Sequence, residues 1–155
     1  MNLKKHLNNT IFKIVSQAAD ELGYETYVIG GYVRDVLLNS NEPKDIDFVC
    51  VGSGIELAQK VKSILDTESK VQVFKNFGTA MLKHNDLELE FVGARKESYR
   101  IDSRKPIVED GTLEDDQNRR DFTINAMALQ LNSKKYGDFL DPFNGKDDLK
   151  KKIIK

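Results

Sequence analysis

Between residues 30 and 51 the chain carries its most restrictive feature. Two adjacent glycines lead into a short amphipathic stretch and a polar turn, and then comes the run Asp45-Ile-Asp-Phe-Val-Cys-Val51. Apart from its aspartates that run is apolar, the composition of a strand covered on both faces. Residues two apart on a strand share a face, so Asp45 and Asp47 project together. Like charges side by side on an apolar strand are costly unless something positive neutralises them. A hard divalent cation does so, and Mg²⁺ takes one or two carboxylates together with substrate phosphates. The plain alternative is an exposed strand end with two ordinary surface aspartates.

The surrounding elements can be read from periodicity. Ile11, Ile14, Val15, Ala18, Ala19 and Leu22 follow helical spacing, and Gly23 sits where a helix ends. Residues 26–29 read as a strand delivered into the Gly30-Gly31 turn. Val33, Val36 and Leu37 mark a second helix that Asn39 can close in the left-handed conformation. Gly52-Ser53-Gly54 opens a third, with Ile55, Ala58, Val61 and Leu65 inward. Residues 71–74, 79–83 and 87–92 read as strands, the last two a hairpin turned by His84-Asn85-Asp86. Residues 96–111 read as a long irregular polar loop. Two short helices are expected beyond it, one opened by a Thr112–Asp115 capping pair and one after Asp121. The lysine-rich end, with Leu149, Ile153 and Ile154, reads as the first turns of a helix whose packing partner is missing. These elements predict one α+β domain, a small mixed sheet of about five strands with helices mainly on one side.

At 155 residues the chain is long enough for a real core without metal or disulfide staples. No apolar run approaches the roughly 20 residues needed to cross a bilayer, so no membrane partner is expected. Cys50 is the sole cysteine and cannot form an internal bridge, which favours a reducing, cytoplasmic setting. With 24 basic and 25 acidic residues, overall charge carries no nucleic-acid signal. RNA or nucleotides must be met through local arrangement.

Three further groups carry that arrangement. Gly30 and Gly31 let backbone N–H groups approach a ligand, and a helix start beside them favours phosphate. Arg34 on the first turn adds a planar fork for phosphate oxygens; a tight turn with a solvated arginine is the alternative. Glu88 and Glu90 share one face of their strand, and either can join the aspartates if the strands are neighbours. The alternative is a half-exposed amphipathic strand, and spacing alone does not choose between the two readings. Arg119 and Arg120 can neutralise a triphosphate. Asp121 and Asn125, at helical spacing, share a face and can bond each other or a sugar; the alternative, with equal claim, is that Asp121 caps the helix and the arginines are solvated. His6, His84 and Cys50 lack zinc-ligand spacing. Cys50 belongs in the core, and no phosphate-binding G-x-x-x-x-G-K-[ST] loop or G-x-S-x-G nucleophile elbow is present. Lys150, Lys151, Lys152 and Lys155 suit RNA phosphates or a solvated helix face equally.

GGYVRD at 30–35 followed by DID at 45–47 resembles motif A of the class II CCA-adding tRNA nucleotidyltransferases and the related bacterial poly(A) polymerases. RRDFTINAMA at 119–128 resembles their motif B, and residues 141–155 resemble the segment leading out of the catalytic head. The resemblance implies a polymerase-β-like fold, with residues 1–145 as the head and 146–155 as the start of a helical neck. It implies that Asp45 and Asp47 hold two Mg²⁺ ions and that Glu90, five residues before Arg95, is the third carboxylate. Gly31 and Arg34 then bind the triphosphate, and Arg119, Arg120, Asp121 and Asn125 contact ribose and phosphates. Asn39 and Lys155 stand where the family commonly has glycine and arginine. The family's nucleotide-selecting E-D-x-x-R motif, body and tail have no match in this sequence.

The activity so implied is template-independent transfer of CMP or AMP from CTP or ATP to the 3′ end of RNA, tRNA above all. Poly(A) synthesis on mRNA shares the same head motifs. A nucleotide- or RNA-binding module without catalysis is the reading from another class.

Overall fold

Asn9 starts the first helix by accepting a hydrogen bond from the Ile11 N–H at 3.0 Å, and Gly23, at φ 72°, closes it. The computed structural model describes residues 9–38, 44–99, 106–110, 112–118 and 122–151, with Asn2, Leu3, Lys5 and Leu7; the side chains of Phe77, Asp116, 95–99 and 106–110 fall outside that description. The elements run α1 (Thr10–Leu22), β1 (Thr26–Ile29), α2 (Gly31–Leu37), β2 (Asp45–Cys50), α3 (Gly54–Leu65), β3 (Gln72–Phe74), β4 (Thr79–His84) and β5 (Leu87–Gly93). They continue with β6 (Arg95–Tyr99), β7 (Pro106–Asp110), α4 (Leu113–Asn118), β8 (Ala128–Gln130), β9 (Phe139–Leu140) and α5 (Gly145–Lys150).

Seven strands form one mixed sheet in the order β3-β4-β5-β2-β1-β8-β9. The β2–β5 pair is parallel and the other neighbours are antiparallel. Parity along the central strands sorts their residues. Val28, Ile46, Phe48, Cys50, Ala80, Leu82, Leu89 and Phe91 face the main core, where α1, α2 and α3 cover them. Phe48 stacks on Phe91 with ring centroids 5.1 Å apart, and Phe12 of α1 meets Phe48 at 6.2 Å. Each such fully buried ring contributes roughly 1.5–3 kcal/mol. The opposite face carries a smaller apolar cluster of Tyr27, Ile29, Val49, Ala94, Leu113 and Ala128. No helix among the described residues is long and apolar enough to cross a membrane.

The α+β mixed sheet expected from the sequence is present, and β8 and β9 extend it past the five strands that periodicity marks. The helix expected after Asp121 is absent from the described residues. Phe122 is extended (φ −125°, ψ 136°), Thr123–Asn125 make a single 3-10 turn, and the chain then pairs with β1 as β8. Ala, Met and Leu favour helix intrinsically, but pairing with a buried strand overrides so weak a preference. The irregular loop expected over 96–111 contains the antiparallel pair β6–β7. Its polar strands lack the apolar alternation by which strands are recognised. At the lysine-rich end, Leu149 packs against the main core, so its partner lies within this chain. Asn39, Ile153 and Ile154 lie outside the described residues.

Candidate active site

The acidic residues converge through strand register. In the parallel β2–β5 pair Asp45 lies beside Glu88 and Asp47 beside Glu90, so all four project from the face opposite the main core. On the other side of β2, Ile29 is level with Asp47. The Gly30-Gly31 turn therefore leaves the sheet where β2 begins. Asp45 is exposed, and Asp47 and Glu90 are half-buried.

Register also separates the two glutamates. Glu88 lies opposite Lys83 of β4 and pairs with it, Nζ to Oε1 at 3.6 Å. Glu90 lies opposite Met81, with Asp47 on its other flank. The β4 cation thus occupies Glu88, and Glu90 is the glutamate aligned with the inner aspartate. Among the described residues no three His, Cys, Asp or Glu side chains form a group able to hold a metal ion. Asp45 and Asp47 are a two-carboxylate, all-oxygen set, which fits a hard ion that completes its shell with phosphate and water.

At the turn, Gly30 takes φ 79° and ψ −131°, a conformation essentially reserved for glycine. Its N–H donates to the Met127 carbonyl at 3.2 Å. A Cβ on Gly31 would meet only the Nη2 of Arg34, at 3.5 Å, and no side chain caps the start of α2. The guanidinium folds back towards Gly31. Its Nε donates to Asp35 Oδ1 at 3.0 Å and its Nη1 to Asn125 Oδ1 at 3.2 Å, with 35% of the side chain exposed. Gly30, Gly31, Arg34 and Asn125 are thus brought together, about 90 positions apart though they are in the chain. Arg119, Arg120 and Asp121 lie outside the described residues.

The turn that presents Asn125 rests on polar groups to which spacing draws no attention. The buried Gln117 of α4 donates Nε2 to the Ala126 carbonyl at 2.8 Å. Thr123 donates its hydroxyl to Asp148 of α5 at 2.6 Å. Asp148 sits in a lysine-rich segment that reads as solvated, so only its burial reveals it. Elsewhere, burial, followed by the charge of Glu56, pushes the Cys50 thiol up to about 12, which removes it as a nucleophile. A cavity of about 540 Å³ lined by Tyr27, Leu113, Gln117 and Asp141 lies beyond β1 and does not include Asp45 or Asp47. Lys150 and Lys151 are exposed, and Lys152, Lys155 and His6 lie outside the described residues.

Comparison with known proteins covers the same stretch of the chain. A family model described as the Poly A polymerase head domain matches residues 26–155. An A-adding tRNA nucleotidyltransferase of Aquifex aeolicus is 46% identical over 129 residues, covering 83% of this chain and 15% of that protein. A CCA-adding enzyme of Lactobacillus johnsonii is 35% identical over 143 residues, 91% of this chain and 33% of that protein. Among solved structures, an apo CCA-adding enzyme is similar with a TM-score of 0.87 at 35% identity, over 100% of this chain and 38% of that one. A tRNA nucleotidyltransferase complexed with a primer tRNA and an incoming ATP analog gives 0.78 at 44% identity, over 91% and 38% of the two chains. The chain spans between 15% and 34% of the length of such curated relatives.

Proposed function

The chain belongs to the Poly A polymerase head domain family, and from that premise we propose that it is the nucleotidyl-transfer head of an enzyme that extends the 3′ end of tRNA. The carrying observation is the register that sets Asp45 and Asp47 beside Glu88 and Glu90 at the mouth of an open glycine turn. In this reading residues 1–145 are the head and 146–155 begin a helical neck that leads to further domains of the same protein. The fully buried thiol of Cys50 suits a reducing, cytoplasmic setting.

The reaction is in-line attack of an RNA 3′-hydroxyl on the α-phosphate of CTP or ATP, with pyrophosphate leaving. Use of a divalent metal is general to the family; Asp45 and Asp47 are the residues that would hold it, as two Mg²⁺ ions. When bound, such ions make the hydroxyl a better nucleophile and offset charge on the departing phosphates. Glu90, level with Asp47 on the neighbouring strand, is the third carboxylate of the site and stands beside the pair that would hold the metal. Gly30 and Gly31 admit the triphosphate to the backbone N–H groups at the uncapped start of α2. Arg34 offers the donors left over from Asp35 and Asn125 to phosphate oxygens, and Arg119 and Arg120 add charge. Asp121 and Asn125 contact the ribose. The chain's contribution is positioning and electrostatics, with no covalent nucleophile of its own.

The test uses the full-length protein with labelled CTP and ATP on tRNA lacking its CCA end and on tRNA ending in CC. Asp45→Ala and Asp47→Ala each cut incorporation by about a thousandfold or more. Near-normal activity in either variant sinks the reading. Addition only to the CC-ended tRNA selects the A-adding activity named for the Aquifex aeolicus relative. Long homopolymeric tails on mRNA select poly(A) synthesis, and Mg²⁺-dependent ATP binding without turnover selects a binding module.

A further inference from the structure

We propose that Asp148 on α5 is a positioning residue for the nucleotide site, acting through Thr123 on the turn that presents Asn125 to Arg34. The inference rests on the nucleotide-binding reading of Arg34 and Asn125 given above.

The Thr123 hydroxyl donates to Asp148 Oδ2 at 2.6 Å, within the short range of a bond to an ionised acceptor. Asp148 is only 6% exposed, so its carboxylate has left water and depends on such donors. The short helix bearing it is itself fixed at its start, where the Asp141 carboxylate accepts the Gly145 N–H at 2.6 Å and the Lys146 N–H at 2.9 Å. Gly145 passes so close to the Thr123 carbonyl oxygen that a Cβ there would overlap it. Backbone at one point and side chain at another thus fix α5 against the turn.

The turn depends on such outside support. Thr123–Asn125 is three residues long, held internally by the Asn125 N–H on the Phe122 carbonyl at 3.0 Å and the Ala126 N–H on the Thr123 carbonyl at 3.2 Å. Gln117 secures its far end through the Ala126 carbonyl at 2.8 Å. Asp148 secures its near end, and Asn125 sits between the two. The Asn125 Oδ1 accepts from Arg34 Nη1 at 3.2 Å, a separation already near the limit of a useful bond. A small rotation of the turn therefore breaks this contact and leaves the guanidinium its Nε bond to Asp35 without the second anchor that sets its orientation over Gly31.

The experiment measures ATP affinity by calorimetry, and KM and kcat for nucleotide addition, in the full-length protein. Thr123→Val keeps the shape and removes the donor; it raises the nucleotide Kd and KM about tenfold, the worth of one hydrogen bond to a charged group. Thr123→Ser restores the hydroxyl and wild-type affinity. In an Asn125→Ala background Thr123→Val costs nothing further, because both changes act on one contact. Asp148→Asn, which keeps the shape and an acceptor, is the second variant and weakens binding by about threefold. A lower melting temperature with unchanged affinity in both variants overturns the proposal, as does full additivity with Asn125→Ala. A wild type that binds no nucleotide overturns the site reading and this inference with it. A wild type that binds, with Thr123→Val binding equally, overturns this inference alone.

Discussion

β1 runs into α2 through Gly30-Gly31, and β2 runs into α3 through Gly52-Ser53-Gly54. Because β1 and β2 are antiparallel, the two turns lie at opposite ends of the sheet. At the first, a Cβ on Gly31 would meet only the tip of a long side chain, and no side chain caps the helix. At the second, Ser53 caps α3 by accepting from the Glu56 N–H at 3.2 Å. There a Cβ on Gly54 would fall 2.7 Å from the Phe91 carbonyl oxygen, and one on Gly93 would fall 2.5 Å from that of Gly52. One turn is bare because space is left open, the other because backbone fills it. A glycine pair reports that a side chain is excluded; what excludes it depends on the chain that folds against it. Only the open turn lies at the end of β2 that carries Asp45 and Asp47.

Gly54→Ala carries the largest expected effect. Its Cβ meets backbone of β5, which cannot move without disturbing the parallel pair that aligns the carboxylates. Overpacking of this kind costs about 3 kcal/mol. Denaturant unfolding measures it, and a loss under about 1 kcal/mol would mean that α3 shifts cheaply and that the packed turn is not jammed.

Gly31→Ala is the matching change at the open turn. The contact at 3.5 Å is ordinary van der Waals distance, so folding stability changes by less than about 0.5 kcal/mol. In the proposed site the added methyl group would obstruct the triphosphate's approach to the backbone, and nucleotide KM rises about tenfold or more. Unchanged KM would remove the turn from the binding site. A large stability loss would make it a packing glycine like Gly54.

Local chemistry made much of this architecture readable in advance. Asn85 and Asp86 take φ 47° and 67°, the paired positive values of a two-residue hairpin turn. Thr112 and Asp115 exchange bonds of 3.0 and 3.2 Å as a reciprocal cap. The shared face of Asp45 and Asp47 follows from the strand repeat alone. What stayed hidden depends on partners distant in sequence. Residues 128–130 are helix formers that become strand only beside β1. Glu90 is distinguished from Glu88 by register with β2 and by Lys83 across β4. Asp148 looks solvated among lysines until α5 is laid on the Thr123 turn.

The smallest effect lies behind the packed turn. Near the end of α1, Asp20 accepts from the Ser133 N–H at 3.2 Å and from Asn132 Nδ2 at 3.3 Å. Asn132 also donates to the Tyr24 carbonyl at 2.8 Å, and the Tyr24 ring lies against Gly52. Partial burial alone would raise the Asp20 carboxyl, but the bonds from Ser133 and Asn132 outweigh it and hold the group below its ordinary 3.8. A folded pKa below the unfolded one means that the stabilisation is fully present above the unfolded value and is lost as pH falls through the folded one. The group is largely in solvent, so the contribution is under about 1 kcal/mol. Asp20→Ala is therefore slightly less stable than wild type at pH 7, and the two melting curves converge once the pH falls well below 3.8. A gap that persists undiminished in acid would show that the tether works by packing and not by charge, and that the support behind Tyr24 does not depend on the carboxylate.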